Sequence, residues 1–137
     1  MRVQKIIKGR LLCAIFVRSA DLQRLKTTEF LNSDMVLQTG VVAHHAGYVE
    51  KAHYHKKRSR PMTGVQQMIY MAKGKMAVDF FDSKGKLFKT VVLKKGDMML
   101  IIDGVHRIRV LEETLAPTVK LGPYPGPELD KVIVDER

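Results

Sequence analysis

The sequence predicts an all-β protein, a sandwich or barrel of short antiparallel strands with one short helical segment near the N-terminus. Three observations predict it. From Met35 onward, short runs rich in Val, Ile, Met and Phe follow one another, many alternating apolar with polar. Glycine-containing turns separate them, among them Lys73-Gly74, Ser83-Lys84-Gly85-Lys86, Lys95-Gly96-Asp97 and Asp103-Gly104. The regular exchange of strands with longer helices that βαβ units require is missing.

Each element has its own local reason. "KIIKG" and "RLLCAIFV" are apolar runs broken at Gly9-Arg10, which reads as a hairpin or bend. "LLCAIFV" is apolar throughout and reads as a central strand. "SADLQRLKTTEFLNS" is the one helical stretch, with Ser19 as its cap and Leu22, Leu25 and Phe30 as an apolar edge. "MVLQTGVVA", "AHYH", "VQQMIYMA", "KMAVDFFD", "LFKTVVLK", "MMLII" and "HRIRVLE" read as successive strands, and "PTVKLG" as a further short one. The tail "PYPGPELDKVIVDER" reads as extended. Strand parity puts Met76, Val78 and Phe80 on one face, and His106, Ile108 and Val110 on one face.

Composition bounds the rest. At 137 residues and 45% hydrophobic, residues 1–137 read as one domain with a real core. Cys13 has no partner for an internal disulfide and sits in an apolar run, so a buried, inert thiol is expected. The run Leu11–Val17 is stopped by Arg18 and is far short of the ~20 residues of a membrane span. A soluble, cytoplasmic protein is the expectation, with no membrane partner. The formal charge of +10 could attract nucleic acid or acidic small molecules. The 24 Lys and Arg are spread along the chain, however, and aromatic content is only 7%, leaving few stacking platforms. A nucleic-acid partner is therefore not expected.

The residues with chemistry cluster around "AHYHKKRSRPMTGVQQ". On a strand, residues i and i+2 face one side about 6.6 Å apart. His53 and His55 would then project together, close enough to share one metal ion. Five residues separate Gly47 from His53, and six separate Gln67 from Gly74. Gly96 opens a later strand, and His106 follows Gly104-Val105. This pattern resembles the two motifs of the cupin superfamily: Gly, five residues, His-x-His, a spacer, Glu, six residues, Gly; then Gly, five residues, Pro-x-Gly, one or two residues, His. The match spans residues 35–111. "VKLGPYPGPELDK" resembles the tail of small single-domain cupins found among polysaccharide and nucleotide-sugar biosynthesis genes.

The resemblance implies a double-stranded β-helix, the jelly-roll or cupin barrel, assembled as a homodimer by strand exchange or sheet packing. It also implies His53, His55, His106 and Gln67 as ligands of a divalent transition metal. Two departures matter. Eleven residues separate His55 from Gln67, against three or four in the usual motif, so a loop at the barrel mouth is expected. Gln67 replaces the usual glutamate, and Ile102 replaces the usual proline. Gln66 is the alternative ligand, but its parity is wrong if the interval to Gly74 sets the register. An amide donates more weakly than a carboxylate and offsets none of the metal charge, so affinity should fall. Imidazole-rich ligation favours Zn, Ni, Fe or Cu.

Arg58 and Arg60, with Lys56 and Lys57, follow the histidines and could clamp an anionic small-molecule ligand at the pocket mouth. Two functions remain open. One is a metal-dependent enzyme acting on a small acidic or sugar-derived substrate. The other is a non-catalytic binding or sensing module for a sugar-like or carboxylated ligand, favoured by the lack of an obvious general base.

Overall fold

The computed structural model describes residues 1–137 as an antiparallel all-β fold, with 40% of residues in strands and 6% in helices. In chain order the elements are β1 (Gln4–Lys8), β2 (Leu11–Val17), α1 (Ser19–Leu22), β3 (Glu29–Phe30), β4 (Gly40–Val41), β5 (Gln67–Tyr70), β6 (Lys73–Phe81), β7 (Leu87–Lys94), β8 (Met98–Ile101), β9 (Val105–Leu115), β10 (Thr118–Lys120) and α2 (Pro127–Asp130). They form a five-stranded sheet in the order β1-β2-β8-β5-β10, a three-stranded sheet β7-β6-β9, and the small pair β3-β4.

The apolar runs explain the strand order. β2 reads "LLCAIFV" and is buried from Cys13 to Val17 because β1 flanks it on one edge and β8 on the other. β8, "MMLI", is buried at every residue between β2 and β5. Cys13 lies in the core, as its setting predicts, and burial pushes its thiol pKa up, helped by nearby Asp103. On β6, alternation sends Met76, Val78 and Phe80 into the core with Val91 and Leu93 of β7. They pack with Ile6, Cys13, Ala14, Phe16, Ile69, Met99 and Ile101 of the other sheet.

The turns are built as their sequences dictate. Between β6 and β7, the Asp82 carboxylate accepts from the amides of Lys84 and Lys86 at 2.9 and 3.0 Å, and Gly85 takes a φ of +80°. Asp97 does more than turn the chain. It is 4% exposed, and its carboxylate accepts from Arg18 Nη1 at 2.7 Å and from the Ser19 and Lys94 amides at 2.9 and 3.0 Å. The end of β2 is thereby tied to the β7–β8 turn.

Several local expectations change. The tail, read as extended, forms the helical turn α2 at Pro127–Asp130. The helix shrinks to Ser19–Leu22, and Ser19 gives its amide to Asp97 with no side-chain cap on α1. The segment 35–43 yields only the two-residue β4, and "AHYH" is not a strand. No strand occurs between Val41 and Gln67. That stretch has few apolar residues in alternation, carries a cationic run and Pro61, and finds no ladder partner. The two main sheets also stay separate, with no ladder closing them into a barrel.

β9 is the element that positions the site. It pairs with β6 alone, so its other edge is free. The register sets Val110 opposite Met76, Ile108 opposite Val78 and His106 opposite Phe80. His106, Ile108 and Val110 therefore share the inner face with the core residues, as parity predicts. The five-stranded sheet does not reach them: Ile108 and Val110 are 39% and 63% exposed.

Candidate functional site

The uncovered side of β9 opens onto a cavity of about 770 Å³. Gln67, Ile101 and Lys120 line it from the five-stranded sheet, where the ladders place Ile101 and Lys120 on either side of Gln67. His106 and Ile108 line it from β9. Residues 130–136 of the C-terminal segment form the remaining wall. The volume suits a small metabolite-sized ligand.

His106 is exposed, and its Nδ1 lies 3.1 Å from the Gly104 carbonyl oxygen. A carbonyl only accepts, so Nδ1 carries a proton, and in the neutral ring Nε2 keeps its lone pair. Gln67 is half-buried, and its Nε2 donates to Thr118 Oγ1 at 3.0 Å. The amide oxygen is thereby oriented separately from the nitrogen. His106 and Gln67 stand on different sheets and line one cavity, rather than lying on neighbouring strands.

His53 and His55 are elsewhere. They are exposed, on the strandless stretch between β4 and β5, and neither is on the cavity lining. Their rings meet edge to face with centroids 5.2 Å apart. His53 Nδ1 donates to the Lys51 carbonyl at 2.9 Å, which again leaves Nε2 as the free donor atom. Tested against a divalent metal, the donor types fit: imidazole nitrogens and one amide oxygen. The arrangement keeps His53 and His55 together and His106 with Gln67, and no group of three His, Cys, Asp or Glu side chains converges. Arg58 and Arg60 are exposed on the same stretch, outside the cavity lining.

The charged groups on the cavity are ones that sequence reasoning passed over. Lys120 Nζ lies 2.9 Å from Asp130 Oδ2, and Arg107 pairs with Glu136 through Nη1. Arg107 also belongs to a buried cluster. Asp79 is fully buried on the face of β6 opposite Val78 and Phe80. It accepts from Arg109 Nε and Nη2 at 2.6 and 2.9 Å, from Arg107 Nε and Nη2 at 3.1 and 2.9 Å, and from Thr90 Oγ1 at 2.7 Å. The Arg109 hydrogen bonds, more than any other contact, hold the Asp79 carboxyl far below the usual range against the opposing effect of burial. The same contacts raise both guanidinium pKa values. A signal for this cluster was present: Asp79 interrupts an apolar strand, and "RIR" places two cations at matching parity on another.

Fold and site together define an all-β protein of antiparallel sheets with an open, charge-lined cavity. No helix is long and apolar enough to cross a membrane. The chain matches no protein-family model, and no curated protein or solved structure matches it.

Proposed function

We propose that residues 1–137 form one cupin unit, an open variant of the double-stranded β-helix, which takes a small anionic molecule into the cavity beside β9. In this reading it is a metal-dependent enzyme acting on an acidic or sugar-derived substrate in the cytoplasm. His53, His55, His106 and Gln67 would hold a divalent transition metal, Zn, Ni, Fe or Cu, which supplies Lewis-acid or oxygen-activating chemistry. The observation that carries the reading is the presence of His106, with Nε2 free, and Gln67 on one cavity lining. His53 and His55 belong to a stretch without ladder bonds, which can approach the free edge of β9 without breaking a sheet. That free edge, with Ile108 and Val110 beside it, also supports a homodimer.

A metal titration tests it. The natural chain should bind one divalent transition metal, Gln67→Glu should bind it more tightly, and His55→Ala should lose it. Binding should weaken on acidification near the histidine pKa of about 6.5, as protons compete for the imidazoles. Equal binding by all three chains would overturn the site.

The second reading, a non-catalytic binding module, has its own support. Every carboxylate on the cavity lining, Asp130, Asp135 and Glu136, comes from the C-terminal segment, and two of them are ion-paired. No carboxylate stands on a strand there to act as a general base. Turnover that a chelator abolishes separates the enzyme from the binding module.

A further inference from the structure

The charges on the cavity come from two different parts of the chain. Arg107 and Lys120 belong to the sheets, whereas Asp130, Lys131, Asp135 and Glu136 belong to the C-terminal segment. Each sheet cation is met by a segment carboxylate: Asp130 on Lys120, Glu136 on Arg107. The Lys120 and Asp130 side chains are only 25% and 11% exposed, so this pair is screened less than a surface pair. The segment has a built seat as well. The Arg137 amide donates to the Gly85 carbonyl at 3.0 Å, and a Cβ at Gly85 would overlap the Asp135 carbonyl oxygen. Apolar burial adds little, because Leu129, Val132 and Ile133 are at least 81% exposed. The grip is polar and therefore open to competition by other anions.

We propose that residues 130–136 act as an internal ligand, an acidic strap. Its Asp130 and Glu136 carboxylates occupy the places that the anionic groups of a small polyanion, carboxylate or phosphate, take on Lys120 and Arg107. The inference rests on the reading of the cavity as a site for an anionic molecule and adds its regulation. With the strap seated, Arg107, Lys120 and Lys131 face Asp130, Asp135 and Glu136, and these lining charges cancel. With it displaced, Arg107 and Lys120 remain, both cationic. Asp79 keeps Arg107 Nε and Nη2, which fixes the guanidinium and leaves Nη1 to strap or ligand in turn. A tethered competitor acts at an effective concentration in about the millimolar range, so only a ligand that exceeds it displaces the strap.

Calorimetric titration with inorganic pyrophosphate and with citrate, in metal-free buffer, tests the strap. The chains are the natural one, the double variant Asp130→Asn/Glu136→Gln, and a control, Asp21→Asn/Asp34→Asn, which removes the same charge away from the cavity. The strap variant should bind at least one probe about tenfold more tightly than the natural chain, and the control should match the natural chain. The preferred probe tells phosphate from carboxylate recognition. Adding Lys120→Gln to the strap variant should abolish the gain. Equal affinity in the natural and strap-variant chains, or an equal gain in the control, overturns the strap and leaves the cavity reading standing. Binding of neither probe by any chain overturns the cavity reading, and the strap with it.

Discussion

Replacing Asp79 with Asn preserves the shape of the side chain and removes its charge. In the natural chain the carboxylate is fully buried and accepts from Thr90, Arg107 and Arg109. An asparagine offers one acceptor oxygen and turns an NH2 group toward two guanidinium groups. Breaking a buried ion pair from one side costs about 3–5 kcal/mol. Arg107 and Arg109 are 38% and 46% exposed and can rehydrate, which lowers the expected loss to about 2–3 kcal/mol. At about 4 °C per kcal/mol for a chain of this length, the Tm should fall by about 10 °C. Arg109→Ala leaves Arg107 in place and should cost less. Thermal melts followed by circular dichroism measure both. The pH dependence has a definite sign. The folded pKa of Asp79 is depressed, so its stabilisation is complete above the unfolded value of about 4 and is lost as pH falls toward the folded value. The gap between natural chain and variant should be constant between about pH 5 and 8 and close only below about pH 4. An unchanged Tm in Asp79→Asn, or a gap that closes as pH rises, would refute the reasoning.

Cys13 is 1% exposed with a raised pKa, so a thiol reagent should label it only when the chain unfolds, and labelling should keep pace with the loss of the strand signal. Arg58→Ala/Arg60→Ala should leave stability within about 0.5 kcal/mol, because both side chains are exposed, and should weaken binding of an anionic probe only where their stretch closes over the cavity as proposed. Equal losses of binding and stability would make the loop structural.

The fold was legible where a strand's own residues decide its burial. "LLCAIFV" could be placed at the centre of a sheet because no polar residue interrupts it from Leu11 to Val17. The alternation in "KMAVDFF" and "VHRIRV" set the faces of β6 and β9, and His106, Ile108 and Val110 fell where parity placed them. What was illegible depends on partners distant in sequence. Parity says which way a side chain points, but not which strand lies beside it. His53 and His55 were paired on an assumed strand that finds no neighbour to complete a ladder. Gln67 and His106 reach one cavity from two sheets, an encounter that the motif resemblance implied but that parity and spacing alone do not encode. The C-terminal carboxylates escaped notice because their cations lie on β9 and β10, reached only after the sheets are stacked.

Ile108 and Val110 give the folded protein a bare apolar strip beside an open cavity. Dyes that brighten on apolar surfaces respond to such strips as well as to exposed cores. A dye-monitored melt of this chain would start from a bright native baseline, and its first change on heating would report the dye leaving the strip. The apparent midpoint would then mix two events. Backbone circular dichroism reads the sheets alone and is free of this mixture. A ligand that fills the cavity should dim the dye at room temperature, with no change in fold, which turns the same background into a simple displacement screen.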